Sequence, residues 1–103
     1  MIIESRANER VKEARKLLLR KERKESGLHL IESEKLVREA VSSGAAIVSC
    51  FIEDGFAFVP PESATCYTVT RAVLESLCES QTPQGVVAVV QTPALTPPEQ
   101  YPA

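Results

Sequence analysis

Lys12, Arg15, Lys16 and Arg20 recur at helical spacing in a stretch free of Gly and Pro, so a helix can carry their charges along one side. Cations in such a row meet successive phosphates of a polyanion, and Arg adds bidentate contacts. Asn8 falls on the same arc. Its neutral amide beside Lys12 suits a base edge or a ribose hydroxyl, where a further charge would be blind to sequence. Charge alone leaves a solvated helix face as the stronger explanation of this row. The other reactive residue types form no constellation. His29 is the single histidine and has no cluster of Cys, Asp or Glu at metal-ligand spacing beside it. No nucleophile has a matching base, and neither GxGxxG nor GxxxxGK[ST] is present. The expectation is no catalytic residue and no metal site.

The position of the charge says more than its sum. The 103 residues carry a net charge of −2, yet residues 1–25 hold nine basic and five acidic side chains (+4), and residues 26–103 hold three basic and nine acidic ones (−6). A basic segment on an acidic body can hold a polyanion locally while the rest repels nonspecific contact. A composition 44% apolar and 25% charged is that of a folded chain and excludes disorder throughout. No apolar run approaches the roughly 20 residues that cross a bilayer, and no signal-type start is seen. A cytoplasmic protein without membrane contact is expected. Cys50, Cys66 and Cys78 are an odd count without CxxC spacing, which predicts three buried thiols.

The elements that must position the cations read as follows. Ser5 can cap a helix over 6–20, with Ala7, Val11, Ala14, Leu17 and Leu18 on the packing arc and Leu19 as a misfit among the basic positions. Continued helix would rotate Lys21 onto the apolar arc, so the helix is expected to end there, with Arg23 and Lys24 in the following turn. Leu28–Glu32 reads as a strand, Ser33 as the cap of a helix ending at Gly44, and 46–52 (AIVSCFI) as a central strand buried on both faces. A loop over 54–65 leads to a strand over 66–69, a helix capped by Thr70, and a last strand over 86–90. The loop Thr82-Pro83-Gln84-Gly85 precedes that strand, and Gln84 is its polar contact candidate. Alternating helices and apolar strands predict a mainly parallel sheet covered on both sides. No aromatic lies on the basic helix, so no base-stacking platform is expected there. Four prolines after residue 91 make 92–103 an extended tail or linker.

Several pieces occur in a telling order: Asn8-x-x-Val11-Lys12, Lys16-Leu17-x-x-Arg20-Lys21-x-Arg23, Glu32-x-x-Lys35-Leu36-Val37-x-Glu39-Ala40, and Thr82-Pro83-Gln84-Gly85-Val86-Val87-Ala88-Val89. Together, over about residues 5–91, they resemble the N-terminal substrate-binding domain of SpoU/TrmH-family RNA 2′-O-ribose methyltransferases. The resemblance implies a three-layer α/β/α sandwich similar to kink-turn-binding ribosomal proteins, which grips structured ribosomal or transfer RNA. It also implies a C-terminal knotted domain, absent from this chain, that binds S-adenosylmethionine and transfers the methyl group. No cofactor is then expected within these residues, and a homodimer through the absent domain is left open. Two departures stand out. His29 replaces the usual aromatic residue, and Glu32-Ser33 replaces a Glu-Gly pair. The 54–65 connection is also short for the helix commonly found there.

The ordered motifs reverse the balance at the basic helix. Residues 1–91 are expected to form an RNA substrate-binding domain, not an enzyme by itself. Lys12, Arg15, Lys16, Arg20, Lys21 and Arg23 would dock phosphates, with Asn8 and Gln84 adding local contacts. About five engaged phosphates would give a log–log salt slope of roughly −3.5 to −4.5. The alternative is a protein-interaction or dimerisation module that does not bind RNA.

Overall fold

The computed structural model describes residues 2–62, 64–78 and 85–91. Its frame is one five-stranded sheet. The strands are β1 (Ile2–Ile3), β2 (Leu28–Glu32), β3 (Ala46–Glu53), β4 (Thr65–Val69) and β5 (Val86–Gln91), in the order β1-β4-β3-β5-β2. β3 is central, as its continuous apolar run predicts. β5 is buried along Val86–Val90, so both of its faces are covered. Its side chains alternate between two clusters: Val87 and Val89 join one, and Val86, Ala88 and Val90 join the other.

Four of the five strands run the same way, but β5 is inserted in reverse between β3 and β2. β1–β4 and β4–β3 are parallel pairs, and β3–β5 and β5–β2 are antiparallel pairs. The expectation of a mainly parallel sheet is corrected accordingly, and the sheet is mixed. Burial on both faces determines that a strand is interior. It leaves the direction of the strand open. β1 is an edge strand of two residues, too short for an alternation pattern to reveal.

The helices are α1 (Glu9–Arg15), followed by a 3-10 turn (Lys16–Leu18), then α2 (Arg20–Ser26), α3 (Glu34–Ser42) and α4 (Arg71–Glu75). Val11, Ala14 and Leu17 from the first two pack with Val73 and Leu74 of α4, Leu77, and the strand residues Phe51, Val69, Val87 and Val89. Val37 of α3 packs with Ile47, Cys50 and the alternate side chains of β5. Phe56, Phe58 and Ala64 pack against that second cluster from the β3–β4 connection. The connection forms no helix among its described residues, in line with its short length. α3 and α4 start where local chemistry predicts. The Ser33 hydroxyl accepts from Leu36 N at 3.3 Å, and the Thr70 hydroxyl accepts from Val73 N at 3.3 Å.

Only one of the three thiols is fully buried. Cys50 is buried, Cys78 is half-buried and Cys66 is exposed, which corrects the expectation of three buried thiols. Cys66 stands opposite Cys50 in the β3–β4 register, near the start of β4, where the sheet has less cover.

Candidate nucleic-acid interface

The basic segment is not one helix. Asn8, rather than Ser5, is the N-cap of α1, its Oδ1 accepting from Arg10 N at 2.8 Å. The Ser5 hydroxyl instead accepts from Ala7 N at 3.0 Å in the preceding turn. Ala7 therefore precedes the helix and is exposed. At the other end the helix tightens into the 3-10 turn and breaks at Leu19, whose backbone is extended (φ −91°, ψ 129°) and whose side chain is 60% exposed. The break resolves the phase conflict seen in the sequence, because a continued helix would have turned Lys21 into the core. Leu19 was the readable sign of it.

α2 then restarts at Arg20 and runs to Ser26, so Arg23 and Lys24 lie in its last turn rather than in a loop. Gly27, at φ 74°, ends it, and its N–H donates to Arg23 O. None of the α2 residues is buried, so the helix is held mainly through its ends. Arg23 provides one such tie: its Nη1 donates to Leu17 O at 2.9 Å and Leu18 O at 3.0 Å, capping the 3-10 turn.

These contacts divide the cations into two groups. Arg15 donates to Arg6 O at 2.9 Å and to the Ser76 hydroxyl at 3.4 Å, and Arg23 is bound to the two carbonyls. Both are half-buried and serve the fold. Lys16 pairs with Glu13 at 3.3 Å, with both side chains more than half exposed, so solvent weakens the pair. Lys12, Arg20 and Lys21 are exposed, and among the described residues they have no ion pair or hydrogen bond from the side chain. Asn8 is half-buried with its amide oxygen engaged in the cap, leaving the amide nitrogen as a donor.

Gln84, with Thr82 and Pro83, lies outside the described residues. Gly85, the last residue of that loop, faces the Phe56 ring, which belongs to the cluster with α3 rather than the one with α1.

Tyr67 was missed by sequence reasoning. It reaches the basic segment from β4: its ring stacks on Phe51 with centroids 5.2 Å apart, and the Arg10 guanidinium lies 5.9 Å from its centroid. An aromatic ring from β4 therefore stands beside α1, although none is on it. Only the register pair Phe51–Tyr67 could have signalled it, and that pairing is not written locally. Among the described residues, no three His, Cys, Asp or Glu side chains converge to hold a metal, and no helix is long and apolar enough to cross a membrane.

This mixed α/β domain with a cationic first segment is of the class found in SpoU/TrmH RNA methyltransferases. A crystal structure of an RNA 2′-O ribose methyltransferase superimposes with a TM-score of 0.83 at 30% identity, covering 100% of this chain and 42% of that one. The SpoU methyltransferase AviRb from Streptomyces viridochromogenes, solved with the cofactor AdoMet, shares the fold at a TM-score of 0.71 and 23% identity, over 84% of this chain and 36% of its own. In sequence, the 23S rRNA (guanosine(2553)-2′-O)-methyltransferase RlmP of Bacillus subtilis is 34% identical over 94 residues, 88% of this chain. The family model of the MRM3-like substrate binding domain matches residues 8–88, and the chain belongs to that family. It spans 38% of the length of the Bacillus subtilis relative.

Proposed function

We propose that residues 1–91 recognise structured ribosomal or transfer RNA as the substrate-binding part of a 2′-O-ribose methyltransferase. The observation that carries this is the set of exposed cations on α1, the 3-10 turn and α2 of a family substrate-binding domain: Lys12, Lys16, Arg20 and Lys21. Helices packed on either side of the sheet would complete a three-layer frame like that of kink-turn-binding ribosomal proteins. An α-helix cannot read the deep, narrow major groove of A-form RNA, so backbone shape, loops and bulges are the targets. Asn8 and Gln84 add contacts to ribose or base.

In this reading the chain binds RNA and does not itself transfer a methyl group. Methyl transfer, with S-adenosylmethionine as donor, belongs to a catalytic domain for which 92–103 is the linker, and pairing of two chains belongs to that domain as well. The partial coverage of the methyltransferase relatives supports this division. The cytoplasm is where such an RNA would be met.

Fluorescence anisotropy with a structured rRNA fragment at several salt concentrations tests the reading. With Arg15 and Arg23 engaged by the fold, about four phosphates remain to be contacted, which gives a log–log slope of roughly −2.8 to −3.6. Lys12→Ala with Lys21→Ala should weaken binding to many RNAs and leave the melting temperature unchanged. A flat salt response, or undiminished binding by the double variant, would sink the proposal.

A further inference from the structure

Between the basic segment and the first residues of β3 and β4 lies an open groove of about 410 Å³. That volume suits a small-molecule or nucleoside-sized group. Val48, Phe51, Tyr67, Leu28 and Val89 supply apolar lining, and Ser49 and Thr65, opposite each other in register, supply hydroxyls. A β-bulge shapes this corner. Ile47 and Ser49 pair with the consecutive residues Val90 and Val89, leaving Val48 as the extra residue, 43% exposed. Bulges of this kind re-aim side chains beside binding sites.

The charges around the groove distinguish its occupant. Arg10 and Lys16 on the rim are matched by Glu13 and Glu22, so the rim has no net charge. Lys16 is also paired with Glu13. A phosphate would gain little from such a lining. A neutral, flat heterocycle would gain a great deal: the Tyr67 ring and the Arg10 plane are stacking surfaces, and carboxylates and hydroxyls accept from ring amino groups. The Arg10–Tyr67 spacing of 5.9 Å is near the outer limit of a cation–π contact. A modest outward swing of the exposed Arg10 side chain would admit a ring between them.

We infer that this groove receives an unpaired nucleobase of the bound RNA, stacked against Tyr67 and covered by Arg10. The inference rests on the RNA-binding reading and adds a base-sized subsite to it. Lys12, Arg20 and Lys21, with Lys16 at the groove's rim, hold the phosphates, and the groove distinguishes a looped RNA from a continuous duplex.

The test is titration of the 103-residue chain with two RNAs of equal length, a hairpin carrying 2-aminopurine in its loop and a fully paired duplex. The hairpin should bind more tightly, with a change in 2-aminopurine emission as the base stacks. Tyr67→Leu and Arg10→Gln should each weaken hairpin binding on the order of 10-fold and leave duplex binding unchanged. Tyr67→Phe should restore hairpin binding, and Lys12→Ala should weaken both RNAs. Arg10 is exposed, so its variant carries the test if Tyr67→Leu fails to fold. If Arg10→Gln and the folded Tyr67 variants bind the hairpin like wild type while Lys12→Ala weakens both RNAs, the base subsite is overturned and the RNA-binding reading survives. Binding of neither RNA by the wild type overturns both.

Discussion

Gly85 and Phe56 are packed so closely that a Cβ on Gly85 would stand 2.5 Å from Cδ1 and Cε1 of the Phe56 ring. Gly85 also has φ +92°, in the region that favours glycine. Two penalties therefore add in Gly85→Ala, a backbone cost of about 1–2 kcal/mol and an overpacking cost of about 1–3 kcal/mol. Chemical denaturation should show a loss of about 2–5 kcal/mol. Trimming the ring with Phe56→Leu removes only the steric part, so the double variant should be more stable than the sum of the singles implies. Strict additivity would show that the ring and the glycine are not coupled.

Ser33 has the only positive φ among the described residues other than glycine, φ 105° with ψ 148°. This lies near a region used almost solely by glycine, and it costs on the order of 1–3 kcal/mol for other residues. It is also where the family resemblance leads one to expect Gly. Ser33→Gly relieves that strain and loses the hydroxyl cap on Leu36 N, a loss of only a few tenths of a kcal/mol when glycine replaces serine. Relief is the larger effect, so Ser33→Gly should stabilise the chain by about 1 kcal/mol. Ser33→Ala keeps the strain, loses the cap and should destabilise it. A lower melting temperature for Ser33→Gly would refute the assignment of strain.

What was legible in the sequence was local. Ser33, Thr70 and Gly44 mark helix ends through their own backbone and side-chain chemistry, and the AIVSCFI run marks the central strand. What was not legible depends on distant partners. VVAVV reads the same in either direction, so the reversal of β5 becomes visible only in its pairing with β2 and β3. The cationic segment was recognisable as a group, but the sequence does not say which guanidinium groups bind carbonyls. Arg15 meets Ser76, and Arg10 meets Tyr67, across long stretches of chain that only the tertiary fold brings together.

Arg23 and Lys21 lie in the same short helix, but Arg23 bonds two backbone carbonyls while Lys21 is exposed, so under the proposed RNA contact the pair separates positioning from contact. A seven-residue helix with no buried residue is marginal alone. The bonds from Arg23 to Leu17 O and Leu18 O tie it to the core. Arg23→Ala should destabilise the chain by about 1–2 kcal/mol, the lower part of the range for charged hydrogen bonds because the group is half-exposed. It should also weaken RNA binding by loosening Arg20 and Lys21. Lys21→Ala should weaken binding without a stability change. Denaturation and anisotropy on the two variants check this; equal stability would remove the positioning role of Arg23.

The thiols make stability depend on alkaline pH, with a definite sign. Burial pushes Cys50 from 9.0 up to about 11, with a smaller contribution from the charge of Cys66. Burial also pushes Cys78 up to about 12, aided by the charge of Glu32 and a hydrogen bond to it, then by Glu75. Burial raises Cys66 as well. The fold thus favours the neutral thiols. Their contribution is fully present below the unfolded value near 9 and is lost as pH rises through the folded values. Denaturation at about pH 7 and about pH 10 should show falling stability, with a shallower fall in a variant carrying Cys50→Ala and Cys78→Ala. Equal slopes would remove the thiols as the cause. Exposure adds an independent check: iodoacetamide near neutral pH should label Cys66 first, and Cys50 only when the chain is unfolded, because the buried Cys50 must leave the core before its thiolate can react.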